Sequence, residues 1–339
     1  MNAATTSASG LALIEAEMRR QHADALASFA GAELSAARIA KSARLTGRLL
    51  LIGMGASHFV NRVAEPVYRA LGLDATAIVA SEILAQPLPD RPRSVILTSQ
   101  SGASGEILQL LERPAGQEAR FGLTLGGDSP LAQGLPSLIG VGGVERGFAA
   151  TRSLLISLAL HAAVASALGQ SQAEALAMLR TPPALSVDEA LGRLVGCKTF
   201  IFTGRGELAG LAESGALCLM ELARIPALAL EGGQFRHGPL EVLSPDVGVI
   251  LLRPAGAMAA SALALARVCL EAGTPPIIFD VSGEAVVPGA LTIALPRLHG
   301  LASAIALLPA LQQLLIRIAI AQVERVGEPL RSTKVTGAE

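Results

Sequence analysis

Short apolar runs alternate with longer helical stretches along the chain, and the alternation occurs twice. Leu49-Leu50-Leu51-Ile52 runs into Gly53-Met54-Gly55, and Thr199-Phe200-Ile201-Phe202 runs toward Gly204-Arg205-Gly206. Apolar runs of this length, closed by Gly-rich turns, predict buried strands that pass into helices. The rhythm then continues in step: 75–80 with 226–230, 94–98 with 248–252, 120–125 with 275–279, and 137–141 with 290–295. A long apolar helical stretch closes each half, near 150–169 and 300–325. Continuous apolar strands separated by helices predict parallel sheets covered on both faces. The expected fold is therefore α/β, with two tandem doubly wound (flavodoxin-like) domains of about five parallel strands each. Thr181-Pro182-Pro183 reads as the linker between them. The expected division is an N-terminal helical segment packing on the core (1–47), a first domain (48–181), a second domain (182–325) and a C-terminal tail (326–339).

Composition narrows the function classes. The chain has 339 residues, 51% of them hydrophobic and only 16% charged, with a net charge of −1. That gives no basic footprint for nucleic acid. One Tyr and no Trp offer no stacking platform for single-stranded bases. So sparse a charge leaves apolar surface, which predicts an oligomer. Cys197, Cys218 and Cys269 are scattered, odd in number and without metal-ligand spacing, so free thiols are expected. The stretch 153–169 is almost long enough to span a bilayer, yet His161 sits in its middle and Arg152 and Glu174 flank it. A buried core helix is the expectation. Glu15, Glu17, Arg19 and Arg20 leave no secretory signal pattern, so the expected location is the cytoplasm.

In such sheets ligands sit beyond the carboxyl ends of the strands. After the third strand of the first half comes Thr98-Ser99-Gln100-Ser101-Gly102-Ala103-Ser104-Gly105-Glu106. Four hydroxyls and two glycines at a strand-to-helix junction exceed what a helix cap needs. With the free N–H groups and positive end of a helix, they suit a phosphate monoester. The corresponding place in the second half, Leu251-Leu252-Arg253-Pro254-Ala255, has no hydroxyl, so only the first half is expected to hold phosphate. The turn Gly53-Met54-Gly55-Ala56-Ser57-His58 lacks the third glycine of a dinucleotide fingerprint, and Ser57 reads instead as another ligand-facing hydroxyl. Glu145 and Arg205 lie past strand ends, where charged groups are ordinarily solvated. The five histidines show no metal-binding spacing, and neither a metal nor a cofactor is expected.

With these residues in view, the chain resembles the sugar isomerase (SIS) family. It is similar in particular to the isomerase half of glucosamine-6-phosphate synthase and to related stand-alone deaminases. The motifs that carry the resemblance are Ser99-Gln100-Ser101-Gly102, Gly147-Phe148-Ala149-Ala150-Thr151-Arg152, Phe235-Arg236-His237-Gly238-Pro239-Leu240 and Pro329-Leu330-Arg331-Ser332-Thr333-Lys334-Val335-Thr336. They run in the family's order from about Leu49 to Thr336. The resemblance implies that Ser57, Ser99, Gln100, Ser101 and Ser104, with Ala149, hold the sugar phosphate. It implies that Glu221 moves the proton between C1 and C2. It implies that His237, sixteen residues later, opens the sugar ring from a neighbouring subunit of a homodimer. Lys334 matches the tail lysine that closes over the open-chain sugar.

Two departures stand out. Cys218 occupies the place of a family lysine one turn before Glu221, and Ser214, beside Glu213, occupies that of a glutamate. The first 48 residues are too short for a glutaminase half and contain no Cys, so glutamine is not the expected nitrogen source. The expected activity is conversion of glucosamine 6-phosphate to fructose 6-phosphate and ammonia. An aldose–ketose isomerase, a fructosamine-phosphate deglycase and a non-catalytic sugar-phosphate sensor remain as alternatives. The chemistry suits the groups: an imidazole titrates near neutrality, and a carboxylate among apolar neighbours can both take and return a proton. A lysine can stabilise the developing enolate.

Overall fold

The computed structural model describes residues 9–337. The ends of the expected N-terminal segment and tail, 1–8 and 338–339, lie outside the described residues. The first sheet contains β1 (Arg48–Gly53), β2 (Asp74–Val79), β3 (Arg93–Thr98), β4 (Glu118–Thr124) and β5 (Ser137–Ile139). The second contains β6 (Thr199–Gly204), β7 (Ala227–Glu231), β8 (Val247–Arg253), β9 (Ile277–Asp280) and β10 (Leu291–Ala294). Every strand pairing is parallel. The orders are β2-β1-β3-β4-β5 and β10-β9-β8-β6-β7. Counted from its own first strand, each half reads 2-1-3-4-5, the doubly wound order with a switch point between its first and third strands. β3 and β8 are buried along their whole length, which is why their centres, Val95 to Leu97 and Val249 to Leu252, are runs of apolar residues rather than alternating. β5 stops at Ile139, short of the expected 141, because Gly142 and Gly143 adopt φ of 92° and 73° and turn the chain out of the sheet.

One apolar core runs through both halves, taking in Leu51, Leu155, Phe202, Leu222 and Leu315. Two helices, Gly10–Gly31 and Glu33–Thr46, pack against the first half. The first is pinned by Arg152, which is fully buried. Arg152 pairs with Glu17 and with Asp24 at 3.1 Å, and donates to the carbonyls of Val141 at 3.0 Å and Gly143 at 2.7 Å. A buried guanidinium demands this full set of acceptors.

The apolar stretch around His161 is the helix Arg152–Ala167, buried from Arg152 to Ala165. His161 is accommodated as a neutral ring: burial lowers its pKa to about 3. Its Nε2 lies 3.2 Å from Asn61 Oδ1 and its Nδ1 lies 2.9 Å from the Tyr68 hydroxyl. Because Asn61 Oδ1 can only accept, Nε2 carries the proton and Nδ1 accepts from Tyr68. The helix Leu301–Gln322 is long and apolar enough to cross a membrane, but 72% of its apolar window is buried inside the protein, so it serves as a core helix.

The halves meet where the helix Gly55–Ala70 packs on the helix Glu207–Ala223. Gly210 lets the two backbones touch: a Cβ there would sit 2.6 Å from Val63 N and 2.7 Å from Phe59 O. Gly210→Val is expected to force the helices apart at a cost of about 3 kcal/mol. Thermal unfolding would register this as a drop of several degrees; an unchanged midpoint contradicts the close approach.

Candidate active site

A cavity of about 340 Å³ opens at the carboxyl end of the first sheet, beyond β1 and β3. Its walls come from the turn after β1 (Met54 to Ser57), the loop after β3 (Ser99 to Ser104), and Ser153 and Ser157 of the helix Arg152–Ala167. Leu217 and Glu221 of the helix Glu207–Ala223 and the tail from Ser332 to Thr336 complete it. Both halves and the tail thus contribute.

One side of the cavity gathers helix amino ends and serine hydroxyls. Three helices, Gly55–Ala70, Gly105–Glu112 and Arg152–Ala167, begin at its wall. Their amino ends carry partial positive charge. Ser104 is the residue before the second of these helices, yet its side chain makes no capping bond. Its Oγ lies 3.2 Å from Ser99 Oγ instead, and both hydroxyls stay near the cavity. The loop is folded by its own serines: Gly102 N–H donates to Ser99 Oγ at 3.1 Å, and Ala103 N–H to Ser101 Oγ at 3.2 Å. Gly102 has φ 66°, and a Cβ on it would overlap the Ser129 hydroxyl, so only glycine fits. Of the four hydroxyls in the motif, that of Thr98 is turned away to Asn61 Oδ1 at 2.9 Å. Three serines, with Ser57, remain for a ligand. Gln100 lines the cavity and reaches the Glu145 carbonyl at 3.5 Å.

The other side carries acid–base groups. Burial pushes the Glu221 carboxyl up to about 7; Lys334 pulls it down, and the Glu145 charge pushes it up again. Glu145 itself is 1% exposed, not solvated as its place after a strand suggested. It accepts from Thr151 N–H at 2.9 Å, Thr151 Oγ1 at 2.9 Å and Ser153 Oγ at 2.6 Å. Lys334 Nζ completes the set at 3.3 Å and also donates to the Phe148 carbonyl at 3.2 Å. Burial alone would raise the Glu145 carboxyl, but Lys334 and these hydrogen bonds outweigh it and hold the group below its usual range.

Seven residues singled out in the sequence therefore meet in one cavity: Ser57, Ser99, Gln100, Ser101, Ser104, Glu221 and Lys334. Ala149 does not line it. That side chain is 0% exposed and belongs to the apolar core, while its neighbours Phe148 and Ala150 face the cavity. His237 is exposed and lies off the wall, just past the short helix Gly232–Phe235. Cys218 is buried, and burial, then the charges of Glu221 and Glu145, raise its thiol. An inert thiol thus stands one turn before Glu221. Sequence reasoning undervalued Glu145 and missed Ser153; the signal for Glu145 was its place two residues before Gly147, inside the loop that turns into the cavity wall.

The corresponding point of the second half is closed. Arg253, at the end of β8, is buried against Asp280 at 2.9 Å and donates to the Ala285 carbonyl at 2.9 Å. The cavity beside it measures about 10 Å³. Among the described residues, no group of three or more His, Cys, Asp and Glu side chains could hold a metal ion.

Residues 193–312, which span β6 to β10, match the family model described as the SIS domain. The chain carries a SIS domain. It is homologous to glutamine–fructose-6-phosphate aminotransferase (isomerizing): that of Rhizobium meliloti is 29% identical over 255 residues, covering 69% of this chain and 40% of that protein. The Zymomonas mobilis protein of the same name is 24% identical over 316 residues, covering 86% of this chain and 52% of its own. The chain thus spans about half or less of the length of these relatives. Among solved structures, the C-terminal domain of glucosamine-fructose-6-phosphate aminotransferase from Francisella tularensis superposes with a TM-score of 0.83 at 19% identity, covering 94% of this chain and 98% of that one. Tagatose-6-phosphate ketose/aldose isomerase from Escherichia coli follows at 0.77, with 18% identity and coverage of 98% and 99%. Glucosamine-6-phosphate deaminase from Thermotoga maritima gives 0.75, with 19% identity and coverage of 95% and 99%. At these identities the structural likenesses establish the fold. The SIS match covers the second sheet; the first shares its strand order, 2-1-3-4-5 within its own half.

Proposed function

We propose that the protein is an amino-sugar phosphate deaminase that converts glucosamine 6-phosphate and water to fructose 6-phosphate and ammonia. In this reading residues 48–181 form a second, unmatched SIS unit whose switch point binds phosphate. Residues 182–325 form the unit that carries Glu221, and the tail from 326 onward closes the site. The observation that carries the proposal is the position of Glu221. A carboxylate pushed up to about 7 lines the same cavity as a phosphate-sized cradle of serines and helix amino ends.

The phosphate sits among Ser99, Ser101, Ser104 and Ser57, held by hydroxyls and amides rather than by a cation. That directs the other end of the sugar toward Glu221. After ring opening, Glu221 takes the proton from C2 and returns it to C1, while Lys334 stabilises the negative charge that develops on O1. The aldehyde carbon becomes a hydroxymethyl group as O1 takes up a proton, and the C2 amine gives up a proton and becomes an imine. Water adds to that imine and ammonia leaves, giving the ketose. These steps are proton transfers and a hydrolysis and use no redox cofactor. Ring opening falls to His237 of the partner subunit in a homodimer. The exposure of His237 in its own chain supports this, as do the exposed apolar side chains Met220, Leu228 and Val242 on neighbouring stretches.

The test is an ammonia-release assay with glucosamine 6-phosphate, with fructose 6-phosphate followed in the same tube. Equal amounts of both products support the deaminase. No ammonia, with a thermal shift on adding the sugar phosphate, transfers the site to an aldose–ketose isomerase, a fructosamine-phosphate deglycase or a sensor.

The pH dependence follows from the sign of the shift. Glu221 acts as a base only when ionised, so kcat/KM is expected to rise with pH through about 7 rather than near the ordinary 4.5. Because Lys334 pulls the Glu221 carboxyl down, Lys334→Met moves that acid limb to higher pH. An acid limb that stays in place in this variant contradicts the electrostatic contact.

A further inference from the structure

We infer that Glu145 is a positioning residue, the anchor of a latch that holds the tail closed by binding Lys334 inside the cavity. Past Gly327 no described residue of the tail is buried, so burial of apolar side chains does not hold this segment down. Its root is fixed where Arg224 donates to the Glu328 carbonyl at 2.8 Å. Beyond the root, two of its residues make polar contacts with the first half. Gly105 N–H, at the start of the helix Gly105–Glu112, donates to the Thr336 carbonyl at 3.0 Å. Lys334 binds Glu145 and the Phe148 carbonyl. The ion pair is the stronger tether, because one partner is withdrawn from water and both are charged.

The partners of Glu145 explain why it can act as an anchor. Thr151 and Ser153 hold its carboxylate rigidly, and its own backbone carbonyl receives Gln100. Lys334 is the cation that faces it, while Glu221 and the Cys218 thiol are the other titratable groups close enough to feel its charge. When the tail lifts, a buried carboxylate is left facing Glu221 without its counter-ion. Closure relieves that repulsion. The tail therefore closes by electrostatic attraction onto a site prepared in the first half, and closing brings the ammonium to the cavity that Glu221 lines. The use made of that ammonium in turnover rests on the deaminase reading; the latch itself does not.

Glu145→Gln tests the latch cleanly, since the amide keeps the shape and an acceptor oxygen for Thr151, and offers an N–H that the Ser153 hydroxyl can accept, but loses the charge. Hydrogen exchange is followed on the ligand-free, full-length protein, at the Gly105 amide and across the tail. In Glu145→Gln and in Lys334→Met both regions are expected to exchange about tenfold faster, as loss of one charge-assisted contact implies. The double variant should exchange no faster than Lys334→Met, because that substitution already removes every contact of the Lys334 side chain. Unchanged tail exchange in Glu145→Gln, or additive effects in the double variant, would overturn the latch. A purely structural role predicts faster exchange in the first turn of the helix Arg152–Ala167 with the tail unaffected. If Glu145→Gln does not fold, Lys334→Met carries the test alone, and a tail that stays protected in it rejects the proposal. With glucosamine 6-phosphate as substrate, both single variants should lower kcat, Lys334→Met the further because it also removes the ammonium from the cavity. Absence of ammonia release refutes the deaminase reading and leaves the exchange result standing.

Discussion

Replacing Glu221 with Gln is expected to lower the rate of ammonia release from glucosamine 6-phosphate by about a thousandfold, the usual worth of a positioned general base. Glutamine has the same shape, so the cavity keeps its form, and the phosphate cradle on the opposite wall is untouched. Binding of the sugar phosphate, read by calorimetry, should therefore stay within a few-fold of the parent protein. The variant should also lose the acid limb near pH 7, because the group that titrates there is gone. Retained turnover would remove Glu221 from the role of base and leave its raised carboxyl as a consequence of burial alone.

The second large effect belongs to the cradle. Ser99 and Ser104 stand 3.2 Å apart, and neither hydroxyl is consumed by capping the helix Gly105–Glu112. Removing both hydroxyls in Ser99→Ala/Ser104→Ala deletes two contacts to a charged group, each worth about 1.5–3 kcal/mol. Affinity for the sugar phosphate should fall by about a hundredfold or more, by the usual conversion of free energy to affinity. The loss should appear in KM, with kcat at saturation close to that of the parent, because the hydroxyls touch the substrate away from the reacting carbons. Affinity for the unphosphorylated amino sugar should not change. A variant that loses both sugars equally would locate the phosphate elsewhere.

The fold was legible because its signals are local. Runs such as Leu49 to Ile52 and Val249 to Leu252 are continuously apolar since both faces of each sheet are covered, and Gly55 and Gly206 mark the turns with φ of 50° and 57°. The clustering of Ser99, Ser101 and Ser104 at the cavity was legible for the same reason: these hydroxyls and their glycines are contiguous. What the sequence left open depends on contacts far apart in the chain. Glu145 and Lys334 are 189 residues apart, and nothing in the sequence around Glu145 points to Lys334. Ala149 sits in a motif whose neighbours do reach the cavity, but a loop turns successive side chains to opposite sides, and this one faces the core. Thr98 reads as a fourth cradle hydroxyl until the buried Asn61 claims it. The two halves look alike in strand pattern, yet the cavity between the ends of β6 and β8 is only about 10 Å³, and Arg253 past β8 is taken up by Asp280.

The most direct measurement is a crystal structure of Glu221→Gln soaked with glucosamine 6-phosphate. The account predicts the phosphate among Ser99, Ser101 and Ser104, and C1 and C2 of the sugar within about 3.5 Å of the residue 221 side chain, the near-attack range for proton transfer. A phosphate bound outside that loop, or a sugar whose C1–C2 end points away from residue 221, would contradict it.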